Sequence, residues 1–235
     1  MNEAEHLPKR GGEAGFSHLA PSGLPRQRVG VTPQMHGRYP DYDVLAQAEH
    51  WDEPTRRLVL DRLAGPPPVR FFTQAEARTL RAFCDVVMAQ DSEPRVPVLE
   101  MVDQKFHEGK LDGFRFAEMP PDPQTWREVA ANLDRSAGGS FAALEPVEQR
   151  RLVDHFARGE LDWPDLPIEK AWSVVMRAVL AAFYSHPWAW NEIGFGGPAY
   201  PRGFARLGAG QREHWESPPQ FERDPVSDVG ERGLE

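Results

Sequence analysis

The sequence predicts an all-α protein, a single irregular domain of about six helices with a long aromatic, Gly/Pro-rich loop and disordered tails. Helix caps and stops recur through the middle of the chain, and apolar residues between them return at three- and four-residue steps. No alternating run bounded by turn residues competes as a strand. With 235 residues and 40% apolar content the chain can bury one core, while 23 Pro and 20 Gly keep much of the remainder out of regular structure.

The elements follow in order. Residues 1–40 hold five Pro and six Gly with few large apolar side chains, so a disordered or draped arm is expected. Asp52 caps a first helix, with Pro54 in its first turn and Gly65 as its stop. Thr73 and Glu76 form a T-x-x-E capping box, and Ala77, Leu80, Phe83, Cys84, Val87 and Met88 share a face behind it, with Cys84 a packed core thiol. A third helix runs from Arg95 to His107, started by a solvated cluster of Asp91, Glu93 and Arg95. Asp122 is expected to cap a fourth, which Gly138-Gly139 ends. The fifth spans Pro146 to Arg158. A sixth, Pro167 to Tyr184, is apolar on more than one face, because Val174, Met176 and Leu180 lie off its main stripe, and is expected to be the central helix. The helical domain is thus read over 41–207, with an acidic flexible tail over 208–235.

Charge and composition exclude several functions. A net charge of −9 offers no basic field for nucleic acid or anionic membranes, and no apolar run is long enough for membrane insertion. One cysteine, Cys84, rules out an intrachain disulfide, a CxxC zinc site and a Cys-ligated cluster. The eight histidines are scattered, and the repeated triplets His50-Trp51-Asp52 and His214-Trp215-Glu216 lack the H-E-x-x-H spacing of a metal helix. Lys9 and Arg10 precede no apolar stretch, and Arg56-Arg57 and Arg150-Arg151 fall inside helical patterns, so no secretory or twin-arginine signal is read and a cytoplasmic location is expected.

Residues 183–204 stand apart, with seven of the chain's 24 aromatics and only two charges in 22 positions. A loop this aromatic has to be covered, by its own protein or by a partner. The partner-facing candidates are Tyr184, His186, Pro187, Trp188, Trp190, Asn191, Phe195, Pro198, Tyr200 and Arg202. An alternative is a stand-alone hydrolase using His186 with Glu192 or Tyr184, and Ser185 as a nucleophile, although G-x-S-x-G is absent. The glycines of Gly194-Phe195-Gly196-Gly197 do not complete a dinucleotide fingerprint and read as turn residues.

The run Tyr184-Ser185-His186-Pro187, then Trp190-Asn191-Glu192-Ile193-Gly194, then Gly197-Pro198-Ala199-Tyr200-Pro201-Arg202-Gly203 resembles the closing motif of the gluconate 2-dehydrogenase subunit 3 family. Phe72-Thr73-Gln74-Ala75-Glu76-Ala77 resembles that family's opening helix, so the likeness covers about Phe71 to Phe204. The resemblance implies a non-catalytic accessory subunit that binds, stabilises or matures a large FAD-dependent dehydrogenase of the glucose-methanol-choline type, acting on sugars or other alcohols, sometimes with a cytochrome c subunit. No catalytic, metal or cofactor residue is then expected in this chain, and FAD belongs to the partner. A chaperone that releases its client after FAD loading is a further reading. The arm of residues 1–40 stands where family members often carry an export signal, which favours a cytoplasmic complex.

Overall fold

The computed structural model describes residues 42–91, 93, 95–206 and 211–216. Among these residues the regular structure is helical, with no strand, in agreement with the expected all-α class. The expected arm of residues 1–40 lies outside the described residues, as does the tail apart from 211–216.

The described residues form seven α-helices: α1 (Glu53–Asp61), α2 (Gln74–Val87), α3 (Val98–His107), α4 (Asp122–Ser136), α5 (Pro146–Ala157), α6 (Ile168–Phe183) and α7 (Pro187–Ile193). A 3-10 helix, Val44–His50, precedes them, and a 3-10 turn, Phe141–Ala143, joins α4 to α5. The seventh helix and the first 3-10 helix were not expected. Each is seven residues long, too short for a periodic stripe to stand out from its neighbours.

Local chemistry explains most boundaries. Asp52 accepts the Thr55 N–H at 3.1 Å to start α1. Thr73 and Glu76 make both bonds of the capping box at α2. Two starts differ from expectation. Pro121 occupies the cap position of α4, and the Asp122 carboxylate instead accepts from the Arg177 guanidinium of α6 at 2.8 Å. The chain over Arg95–Pro97 is not helical, so α3 begins only at Val98: Gln90 clasps Val96, and the Val98 N–H turns back to the Val96 carbonyl at 2.8 Å. The Gln90 amide accepts the Val96 N–H at 2.7 Å and donates to its carbonyl at 3.1 Å.

Two helices share the centre. Both α2 and α6 pack on α3, α4 and α5, so the sixth helix is not the sole hub. Leu80, Phe83 and Cys84 of α2 and Ala171, Val175 and Val179 of α6 are buried among Trp126, Leu133 and Phe156. Cys84 is the expected core thiol, its pKa pushed well up by burial. Leu180 of α6, expected to be packed, is exposed. A smaller core, made of Val44, Leu45, Ala48, Trp51, Val59, Leu60 and Trp190, joins the residues before α2 to α7.

Asp103 on α3 secures the approach to α2. Its fully buried carboxylate accepts the backbone N–H groups of Arg70, Phe71 and Phe72 at 2.7, 2.9 and 2.9 Å. Removing it strands donors away from water. Asp103→Ala should therefore lower the unfolding free energy by about 3 kcal/mol in urea titrations, and a loss under about 1 kcal/mol would show that these N–H groups find other acceptors.

Candidate functional site

The aromatic segment begins as α6 ends at Phe183. Ser185 closes that helix, its hydroxyl donating to the Ala182 carbonyl at 2.7 Å. His186 then caps α7: its Nδ1 accepts the Trp188 N–H at 3.2 Å, which leaves the ring proton on Nε2, donating to the Arg62 carbonyl at 3.1 Å. Burial, reinforced by the Arg62 charge, pushes the His186 pKa down to about 4.

The next turn ties the two cores together. Trp190 is buried in the smaller core, and its indole N–H donates to the Tyr184 carbonyl at 2.6 Å. Asn191 Oδ1 accepts the Val44 N–H at 2.8 Å, reaching the first turn of the 3-10 helix. Gly194 ends α7 in the left-handed region.

Beyond Gly194 the glycines serve close approach. A Cβ on Gly196 would lie 2.7 and 2.8 Å from Cζ3 and Cε3 of Trp215, and one on Gly197 would lie 2.8 Å from Trp51 and 2.9 Å from Val44. Trp51 and Trp215 are the tryptophans of the two H-W-acid triplets, so the triplets mark the flanks of this glycine pair. Their His50 and His214 are exposed, and no group of three His, Cys, Asp or Glu among the described residues could hold a metal ion. Arg202 also packs on Trp215, its guanidinium 4.2 Å from the ring centroid and donating to Gln47 at 2.9 Å. Glu213 accepts the N–H groups of Ala205 and Arg206, each at 2.6 Å, so residues 211–216, read from sequence as part of a flexible tail, fold back onto the segment.

The ten candidate residues thus divide. His186, Pro187, Trp190 and Asn191 are buried within the chain itself. Tyr184, Trp188, Pro198 and Arg202 are partly covered. Phe195 and Tyr200 remain exposed, at 43% and 65%, and two residues outside the candidate set join them: Ile193 at 44% and Phe204 at 51%. The exposed apolar side chains therefore gather in the second half of the segment. The pairing that a hydrolase needs is not assembled, because both His186 ring nitrogens and the Ser185 hydroxyl are engaged with the backbone.

A model of the family described as gluconate 2-dehydrogenase subunit 3 matches residues 74–197, more than half of the chain. The chain belongs to the gluconate 2-dehydrogenase subunit 3 family. The match begins in the first turn of α2 and ends at the Gly196-Gly197 pair, so the motif residues Pro198–Gly203 and the strap of residues 42–61 lie beyond it. No curated protein and no solved structure matches the chain. Among the described residues of this family member, no helix is long and apolar enough to cross a membrane.

Two predictions follow from this geometry. The folded chain rejects a proton at His186 until pH falls to about 4, whereas an unfolded chain takes one up near its ordinary 6.5. Stability should fall by up to about 3 kcal/mol from this residue as pH drops across that window, with no further contribution below it. His186→Asn keeps a capping acceptor and cannot titrate, so its stability should decline less steeply from pH 6.5 to 4 than that of the parent; equal slopes in urea titrations would contradict the assignment. Gly196→Ala should displace Trp215 without unfolding the bundle, speeding tryptic cleavage after Arg212 while leaving Tm almost unchanged, and unaltered cleavage would show that the contact gives way elsewhere.

Proposed function

We propose that this chain is the non-catalytic small subunit of an FAD-dependent dehydrogenase of the glucose-methanol-choline type, acting on a sugar or another alcohol, and that it docks through the exposed side chains of residues 193–204. Family membership supports the setting. The observation that carries the docking surface is the gathering of Ile193, Phe195, Tyr200 and Phe204 at the surface of a segment whose other half is locked into the fold. Large apolar groups on a fixed backbone lose little entropy on binding, and aromatic anchors of this kind dominate interface energy.

In this reading hydride transfer belongs to FAD in the large subunit, with a cytochrome c subunit as a further electron carrier. The small subunit contributes a surface and stabilises or matures the flavoprotein. Trp190 is unsuitable for testing this role, since its burial in the smaller core means that truncation would damage the fold.

The test uses exposed residues instead. The tagged full chain, expressed in its native cells, should co-purify with a larger protein that shows flavin absorbance, and the double variant Tyr200→Ala/Phe204→Ala should reduce that recovery at least tenfold with its own Tm unchanged. Full recovery with the variant would contradict the docking surface. A parent chain that brings down no flavoprotein would contradict the functional reading.

A further inference from the structure

Residues 213–216 close on themselves. The Glu216 N–H donates to the Glu213 carbonyl at 3.1 Å, and the Glu213 N–H donates to the Glu216 carboxylate at 2.5 Å. This turn presents two side chains, Glu213 and Trp215, that are buried against the rest of the chain.

Trp215 meets the aromatic segment at three places. A Cβ on Gly196 would fall 2.7 Å from its Cζ3, the Phe204 ring lies 5.1 Å away at an interplanar angle of 44°, and the Arg202 guanidinium lies 4.2 Å from its centroid. One indole thus touches the neighbour of Phe195, the turn that carries Tyr200, and Phe204 itself. That turn is closed by the Gly203 N–H on the Ala199 carbonyl at 2.7 Å, with Gly203 in the left-handed region at φ 71°. Glu213 adds the next restraint, its Oε1 accepting the Ala205 and Arg206 N–H groups at 2.6 Å each. The Arg206 and Ala205 N–H groups, and then the Arg206 charge, hold the Glu213 carboxyl below its ordinary range, so these bonds are charge-assisted.

We propose that Glu213 and Trp215 are positioning residues for partner binding, which set the spacing of Phe195, Tyr200 and Phe204 before the partner arrives. The inference rests on the docking reading above and adds a division of roles to it. The exposed rings supply contact, while the 213–216 turn supplies their preformed arrangement. Loosening that arrangement lowers the apparent affinity by the fraction of chains still competent to bind. Because ordering then has to accompany contact, the loss falls on association. Truncating the anchors leaves the arrangement in place and weakens the complex once formed, so that loss falls on dissociation.

Glu213→Ala separates the two roles. Ala205 and Arg206 are exposed, so water takes the place of the carboxylate and the Tm of the full chain should be unchanged. Hydrogen exchange at the Ala205 and Arg206 amides of the free chain should accelerate. Against the flavoprotein recovered with the parent chain and then separated from it, the association rate should fall about fivefold with the dissociation rate unchanged. Tyr200→Ala/Phe204→Ala should show the opposite pattern, and Glu213→Gln, which keeps an acceptor oxygen, should recover most of the association rate. Accelerated exchange with an unaltered association rate would overturn the positioning role and leave the docking reading intact. Unaltered exchange at both amides, or a loss confined to dissociation, would overturn it as well. A double variant that binds as the parent does would instead contradict the docking surface itself.

Discussion

The bond from the Val44 N–H to Asn191 Oδ1 is the constraint on which the architecture of the aromatic segment depends. The first N–H groups of a helix have no partner within it, and at the short helix Val44–His50 one of them is satisfied by a side chain 147 residues later in the chain. That bond fixes the strap of residues 42–61 against α7, and Trp190 beside it fills the core between them. Once both are in place, the chain leaving α7 passes close against Trp215 at position 196 and against Trp51 and Val44 at position 197, where a Cβ would force these neighbours to shift. The exposed aromatics beyond are therefore presented on a backbone braced from both sides, by Arg202 to Gln47 and by Glu213 to Ala205 and Arg206.

Much of the bundle was legible because its signals are local. Asp52, Thr73 with Glu76, and the glycines after the helices act within one or two turns, and the apolar stripes of α2, α4, α5 and α6 repeat often enough to fix a period. Asp122 misled because its neighbours resemble a cap while its real partner, Arg177, comes from another helix. Asp103 and Arg62 were invisible for the same reason, since each satisfies backbone groups distant in sequence, and Gln90 because its clasp on Val96, six residues on, leaves no periodic signal.

The aromatic segment was found by composition, yet composition could not divide it. Buried anchors and exposed anchors are the same residue types, and the difference between Trp190 and Tyr200 arises from whether the strap lies over them. Two clues were present in the sequence: the repeated H-W-acid triplets, whose tryptophans flank Gly196 and Gly197, and the spacing of those glycines. In physical terms the segment is half frame and half face. Much of the frame lies within the residues that match the gluconate 2-dehydrogenase subunit 3 family, and the face is the surface we assign to a flavoprotein partner.

Hydrogen exchange tests that division most directly, measured on the free full chain and on the complex purified from its native cells. The account predicts that the amides of Trp190, Phe195, Gly203 and Val44 are protected in both states, since their acceptors lie within the chain, and that the other amides of the exposed stretch 198–204 gain protection only in the complex. A complex that leaves 198–204 exchanging as in the free chain, with its new protection elsewhere, would contradict the assignment of this face to the partner.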